Sequence, residues 1–309
     1  MSERRPRLSD RVEDAALGAA LAAAGLIGPR LAQRIGARLG RLGYQPLGIR
    51  RPQVEAHLRI AFPDRDKAWI RRTAAAAYGH LGREMVNTML ATRSPGDIPG
   101  AVRYEGLELV ERGLEAGRGV VLVGGHLGNW ELGAGAVAQA GLPVTAVARQ
   151  QRNPLFDRRI LAVRRGLGME LVDRNDAARE ALRALRENRV VVFIADQDAR
   201  QAGVFVPFFN RPASTPRGPA VLALRARAGL AFFAPIREPD GALRVRVEPL
   251  EVPDCEAGGP PVTAITATWV ASLERAVREV PEQYLWHHRR WKTSPPEPSL
   301  DPHGSNGLD

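Results

Sequence analysis

The sequence predicts an α/β protein in which a mixed sheet is flanked by helices and preceded by a helical N-terminal region. Between Val102 and Glu248, short runs rich in Val and Ile alternate with longer stretches of helical period, the pattern of strands covered by helices. Two runs, Val120–Val123 and Val190–Ala195, are continuous and uncharged, as buried strands are. Before Val102 the periodicity is helical. At 309 residues and 44% hydrophobic content the chain is long and apolar enough to close a substantial core, which excludes a disordered protein.

Taken in order, Ala15 to Gly28 is uncharged, Ala/Gly-rich and ended by Pro29. A spanning helix needs about 20 mostly apolar residues, so this segment suits insertion into one leaflet better than a crossing. Residues 31–43 set Leu31, Ile35, Leu39 and Leu42 at helical spacing with Arg34, Arg38 and Arg41 on the polar side, the pattern of an interfacial amphipathic helix. Helices are expected over 52–62 and 67–92, ended by Ser94-Pro95-Gly96-Asp97. The α/β domain then runs through a strand at 102–104, helix 107–116, strand 120–123, helix 131–140, strand 143–148 and helix 154–166. A strand at 169–172, helix 176–187, strand 190–195, helix 216–228, strands at 230–236 and 242–248, and helix 262–280 complete it. This divides the chain into a basic, membrane-associating helical region (1–95), an α/β domain (96–294) and a Pro-rich tail (295–309) expected to be disordered.

The formal charge is +10, and residues 1–100 supply +8 of it, with 17 Lys/Arg against 9 Asp/Glu. An anionic leaflet, an acidic carrier protein and nucleic acid all answer to such a charge. With 42 Arg and two Lys, part of the bias is a general preference for Arg. No secretory signal stands out, because Asp10, Glu13 and Asp14 interrupt the segment after Arg7. The single cysteine, Cys255, supports neither a disulfide framework nor a cysteine metal site.

The chemistry-bearing motif is Gly124-Gly125-His126-Leu127-Gly128-Asn129-Trp130-Glu131, directly after the strand Val120–Val123. A strand leading into it puts His126 at the carboxyl edge of the sheet, where open α/β folds hold ligands. The glycines allow a tight turn, and Asn129 suits the N-cap of a helix starting at Trp130. Glu131 then lies in the first helical turn, from which its carboxylate can return to the imidazole. A hydroxyl is a poor nucleophile at neutral pH, so a reaction in which one attacks needs a base, and a His held by a carboxylate supplies it. No G-x-S-x-G elbow is present and Cys255 is remote, which favours direct attack by a substrate hydroxyl over a covalent enzyme intermediate.

The segment GGHLGNWE resembles the signature of the bacterial lipid A secondary acyltransferases, the lauroyl/myristoyl transferase family, which is related to the phosphatidylinositol mannoside acyltransferases. Further blocks resemble that family in the same order: Ala148–Pro154, Ala195–Asp198, Val206–Thr215 and Pro281–Lys292. The resemblance implies a glycerolipid-acyltransferase-like α/β fold and peripheral or monotopic attachment to the cytoplasmic face of the cell inner membrane. It also implies an acyl carrier protein or coenzyme A thioester as donor, a lipid A precursor or related glycolipid as acceptor, and no metal or redox cofactor. His126 is then the base and Glu131 its supporting acid. Relatives often carry a more hydrophobic N-terminal anchor than Ala15–Gly28.

The expected substrate-binding residues are Arg149, Asn153, Asp196, Asp198, Arg289 and Arg290. Arg149 ends a strand at the same sheet edge as His126, where it suits a developing oxyanion or a phosphate. Asp196 and Asp198 follow a buried strand and suit sugar hydroxyls or an arginine. They have no third carboxylate or His of suitable spacing for a metal. Val204–Phe209 suits either the wall of an acyl channel or the core. Trp286 and Trp291 interleave with His287, His288, Arg289, Arg290 and Lys292, which suits a membrane interface. Rival readings are a different acceptor, such as a phosphatidylinositol mannoside or an ornithine-type lipid, and a non-catalytic basic protein that binds membrane or nucleic acid. No nucleic-acid module is recognisable, and no nucleic-acid partner is expected.

Overall fold

A computed structural model describes residues 6–91, 98, 101–148, 152–173, 177–250 and 261–296. Arg149, Cys255, the breaker at 94–97 and residues 297–309 lie outside the described residues. Four helices come first: α1 (Leu8–Ile27), α2 (Pro29–Tyr44), α3 (Arg51–Ala61) and α4 (Lys67–Leu90). Asp66 caps α4 by accepting from Trp69 N.

The sheet domain follows as β1 (Val102–Glu105), α5 (Glu108–Glu115), β2 (Val120–Gly124), α6 (Trp130–Gln139), β3 (Val144–Ala148), α7 (Pro154–Gly166) and β4 (Glu170–Asp173). It continues with α8 (Ala177–Arg186), β5 (Val190–Ile194), β6 (Val204–Phe208), β7 (Arg211–Thr215), α9 (Gly218–Ala226), β8 (Gly229–Arg237), β9 (Leu243–Pro249) and α10 (Pro261–Glu279). Seven strands form one sheet in the order β1-β9-β8-β2-β5-β3-β4. Every neighbouring pair is parallel except β8 and β9, so the sheet is mixed, as expected.

The buried strands alternate their side chains between the two faces. Leu122 and Val192 pack towards α6 and α7 with Leu132, Val137 and Val163. Val121 and Val191 pack towards α8 and α9 with Ala181, Leu185 and Leu222. Val123 joins a third cluster that draws in Leu58 and Ile70 from the N-terminal helices, Trp269 and Leu273 from α10, and Trp286. The helical region and the sheet therefore share one core.

One element was not expected. β6 and β7 pair as an antiparallel hairpin outside the main sheet, turning at Phe209 and Asn210, both with positive φ. Val206, Phe208 and Phe209 are buried in the third cluster, so this segment is core.

The face of α2 that meets α4 is made of its small residues. Ala32, Gly36 and Ala37 are buried, while Leu31, Ile35, Leu39 and Leu42 are exposed. The backbones come close: a Cβ on Gly40 would lie 2.1 Å from Tyr78 O, and one on Gly82 2.2 Å from Gly36 O. Helical Gly→Ala ordinarily stabilises by about 1 kcal/mol, but at Gly40 the obstructing atom is backbone and cannot rotate away. Gly40→Ala is expected to lower the unfolding free energy by about 1–3 kcal/mol in denaturant titrations. Gly18→Ala, where the nearest neighbour of a new Cβ is the Arg159 side chain at 3.4 Å, is expected to cost nothing.

Candidate active site

β2 and β5 are adjacent and parallel, with Val123 opposite Phe193 and Gly124 opposite Ile194. Two residues beyond each strand end, the same register brings His126 beside Asp196. The Asp196 carboxylate is fully buried and takes two hydrogen bonds from one residue. His126 N donates to Oδ2 at 3.0 Å, and His126 Nδ1 lies 2.5 Å from Oδ1. Gly125 leaves the room for this, since a Cβ there would sit 2.7 Å from Leu273 Cδ2 and 3.1 Å from Asp196 Oδ2. Gly128 turns the loop with φ +59°, and its missing Cβ would fall 1.8 Å from Pro235 O.

Burial opposes charge on Asp196, but the His126 imidazole and its two hydrogen bonds prevail and hold the carboxyl well below the usual carboxylate range. An ionised Asp196 accepts only, so Nδ1 carries the proton of neutral His126 and Nε2 is left as the basic nitrogen. That nitrogen lies 3.4 Å from Gln197 Nε2, and the ring stands edge-on to Trp130 with centroids 4.7 Å apart.

The loop is fastened from below by a buried polar network. Asn129 caps α6 by accepting from Leu132 N at 3.0 Å, and it donates to Glu84 Oε2 at 2.8 Å. Glu84 is paired with Arg237 at 2.9 Å, and both side chains are buried. Burial alone would raise the Glu84 pKa, but Arg237 lowers it. His80 reaches Gly128 O at 3.3 Å. The C-terminal segment closes the other side: Leu285 N donates to His126 O at 2.9 Å, and Gly128 N to Gln283 O at 3.0 Å.

His126 opens onto a cavity of about 410 Å³, within the range of small-molecule sites. Much of its wall is apolar: Leu81 and Met85 from α4, Phe156 and Ile160 from α7, Val192 and Ile194 from β5, and Met169. Its polar lining includes Gln197, Glu84, His287, Glu131 and Arg164. Among the described residues neither ring nitrogen of His287 has a hydrogen-bond partner, and burial together with Arg50 pushes its pKa down to about 4.

Glu131 stands in the first turn of α6 and lines the same cavity, but its carboxylate grips Arg164 of α7 in a bidentate pair at 2.7 and 2.8 Å. Among the described residues no hydrogen bond joins Glu131 to His126. The carboxylate on the imidazole is that of Asp196, read from the sequence as a substrate-binding residue. Asn153 caps α7, accepting from Leu155 N and Phe156 N, and donates to Glu13 of α1 at 2.8 Å. Asp198 accepts from Thr293 Oγ1 at 3.0 Å. Arg289 is exposed beside Gln53, 3.4 Å away.

Part of the C-terminal aromatic-basic block faces inward. Trp286 and Arg290 are each 1% exposed. The Arg290 guanidinium binds Ser214 O at 2.7 Å and Thr215 Oγ1 at 2.6 Å and lies over the Phe208 ring. Their place in the core, fastening the segment to the hairpin, differs from the membrane interface their composition suggests.

The ligand-capable atoms of His126, Asp196 and His288 lie within 4.8 Å of one another. The 2.5 Å separation of Nδ1 from Oδ1 is that of a hydrogen bond. Two ligands of one zinc ion would stand roughly 3 Å or more apart.

Comparison with known proteins places these features among a defined set of relatives. A family model described as bacterial lipid A biosynthesis acyltransferase matches residues 9–293. The chain is 31% identical over 271 residues to the lipid A biosynthesis lauroyltransferase of Escherichia coli, covering 85% of each chain. It is 29% identical over 267 residues to the palmitoleoyltransferase of the same organism, covering 84% of this chain and 85% of the other. With the phosphatidylinositol mannoside acyltransferase of Mycolicibacterium smegmatis it shares 28% identity over 221 residues, 70% of this chain and 69% of that one.

Proposed function

The chain belongs to the bacterial lipid A biosynthesis acyltransferase family, and from that premise we propose that it moves a fatty acyl group from an acyl thioester to a hydroxyl of a lipid A precursor or related glycolipid. Acyl carrier protein or coenzyme A carries the donor. The observation that supports this reading best is the His126–Asp196 pair on a largely apolar cavity, which combines a base with room for an alkyl chain.

In this reading Nε2 of His126 takes the proton of the acceptor hydroxyl as its oxygen attacks the thioester carbonyl. Asp196 holds the tautomer and stabilises the imidazolium that results. The tetrahedral intermediate then collapses with breakage of the C–S bond, and the imidazolium returns its proton to the leaving sulfur. Glu131, the acid of the motif, supports the site from the cavity wall by holding Arg164 in place. Gln197 and His287 offer polar atoms for acceptor hydroxyls. A phosphatidylinositol mannoside is the second acceptor class, on the similarity to the mycobacterial enzyme.

The same reading sets the enzyme on the cytoplasmic face of the inner membrane. No helix among the described residues is long and apolar enough to cross a membrane. The exposed stripe Leu31, Ile35, Leu39 and Leu42 with exposed Arg34, Arg38 and Arg41 suits shallow burial in an anionic leaflet. Met85, 42% exposed, lines the cavity next to Val86, which packs against Gly36 of α2.

His126→Ala is expected to reduce acyl transfer by about 10³-fold or more, and Asp196→Asn by a comparable factor, with the fold intact by circular dichroism. Mass spectrometry of lipids from cells carrying each variant should show a glycolipid lacking one acyl chain; full acylation in the His126→Ala strain would sink the assignment. Replacing Leu31, Ile35 and Leu39 together by Ser should lower binding to anionic vesicles about tenfold or more in a sedimentation assay. Unchanged binding would remove α2 as the docking surface.

A further inference from the structure

The C-terminal segment carries a contact that the proton transfer above does not use. Leu127 and Tyr284 form an isolated antiparallel bridge, so residues 283–285 run beside the motif loop. From there the chain brings His288 to the same carboxylate that His126 uses. His288 Nε2 lies 3.9 Å from Asp196 Oδ2 and 3.1 Å from the Tyr284 hydroxyl. The rings of His126 and His288 are 5.7 Å apart, and that of Tyr284 lies 5.4 Å from His288.

The protonation pattern of this cluster follows from burial. His288 is pushed down to about 3, first by burial and then by the balance of Asp196 against His126, Arg290 and His57, so it is neutral at working pH. Its Nδ1 is buried and has no hydrogen-bond partner among the described residues. A proton there would be an unpaired buried donor and would turn the Nε2 lone pair towards an anion. The tautomer with Nε2–H avoids both costs. Tyr284 is fully buried and its pKa is pushed well up by burial and by Asp196, so it keeps its proton; its oxygen accepts from His288 Nε2–H and its O–H donates to the Asp196 carboxylate.

We infer that His288, oriented by Tyr284, is a positioning residue for the His126–Asp196 pair. From this side the carboxylate receives the Tyr284 O–H, polarised by the His288 Nε2–H behind it, which keeps it turned towards His126 and moderates its pull on the imidazole's proton. The inference rests on the reading of His126 as the base. Besides His288 and Tyr284, the ionisable groups around this pair among the described residues are Glu131, Arg164, Glu84, His80 and His287 in the cavity wall, with Arg290, Asp198 and His57 on the side of His288.

The test measures kcat, KM and the pH profile of acyl transfer for the full-length enzyme with an acyl carrier protein thioester and a lipid A precursor. Without the Nε2–H donor the carboxylate holds the imidazolium more tightly, so in His288→Phe the acidic limb of the kcat/KM profile is expected to move up by about half a pH unit or more. kcat is expected to fall about 10-fold or more with KM little changed. His288→Gln, which keeps a donor, should recover most of both. Tyr284→Phe removes one hydroxyl and should shift the limb in the same direction, which provides the test if His288→Phe does not fold. An unmoved limb in the folded variants overturns the inference, as does equal loss in His288→Gln and His288→Phe. If instead His126→Ala retains activity, the failure belongs to the assignment of the base.

Discussion

The site depends on the register of β2 against β5. Because Gly124 pairs with Ile194 in parallel, each chain leaves the sheet at the same level, and the second residue beyond each end meets its counterpart. A slip of one residue would turn Asp196 to the opposite face of the sheet and leave a buried carboxylate with no partner. Val120 to Val123 and Val190 to Val192 are all at most 6% exposed, so both faces of this strand pair are packed in the core.

A second constraint keeps the loop between strand and helix in place. Glu84, Asn129, Arg237 and Gln283 come from four different parts of the chain and satisfy one another's polar groups under Gly128. A buried ion pair of this kind is weak evidence of net stability but strong evidence of geometric restraint, because removing one partner strands the other charge. It ties α4, against which α2 packs, to the turn that carries His126. In the proposed reading, surface attachment and catalytic geometry share that one helix.

Much of this was legible in the residues. The strand-to-glycine transition placed His126 at the carboxyl edge of the sheet, and Asn129 announced the start of α6. The partner of His126 was not legible, because it depends on which strands are neighbours, and that is decided by pairing across 70 residues. Glu131 was well placed in sequence, yet Arg164, in the last turn of α7, captures it. The β6–β7 hairpin lacked the usual signals: Pro207 sits inside a strand, and the turn at Phe209-Asn210 has no glycine. Trp286 and Arg290 had the composition of an interface, but aromatic rings and a guanidinium stack equally well in a core when backbone carbonyls are within reach, as Ser214 O is for Arg290.

The central claim is that Asp196 holds His126 with Nδ1 protonated and Nε2 bare towards the cavity. Nitrogen-15 NMR of protein labelled at its six histidines, with His126→Gln used to assign the signal, reads this directly. The account predicts a protonated, hydrogen-bonded Nδ1 and an unprotonated Nε2 on neutral His126. A neutral His126 protonated at Nε2 would contradict it.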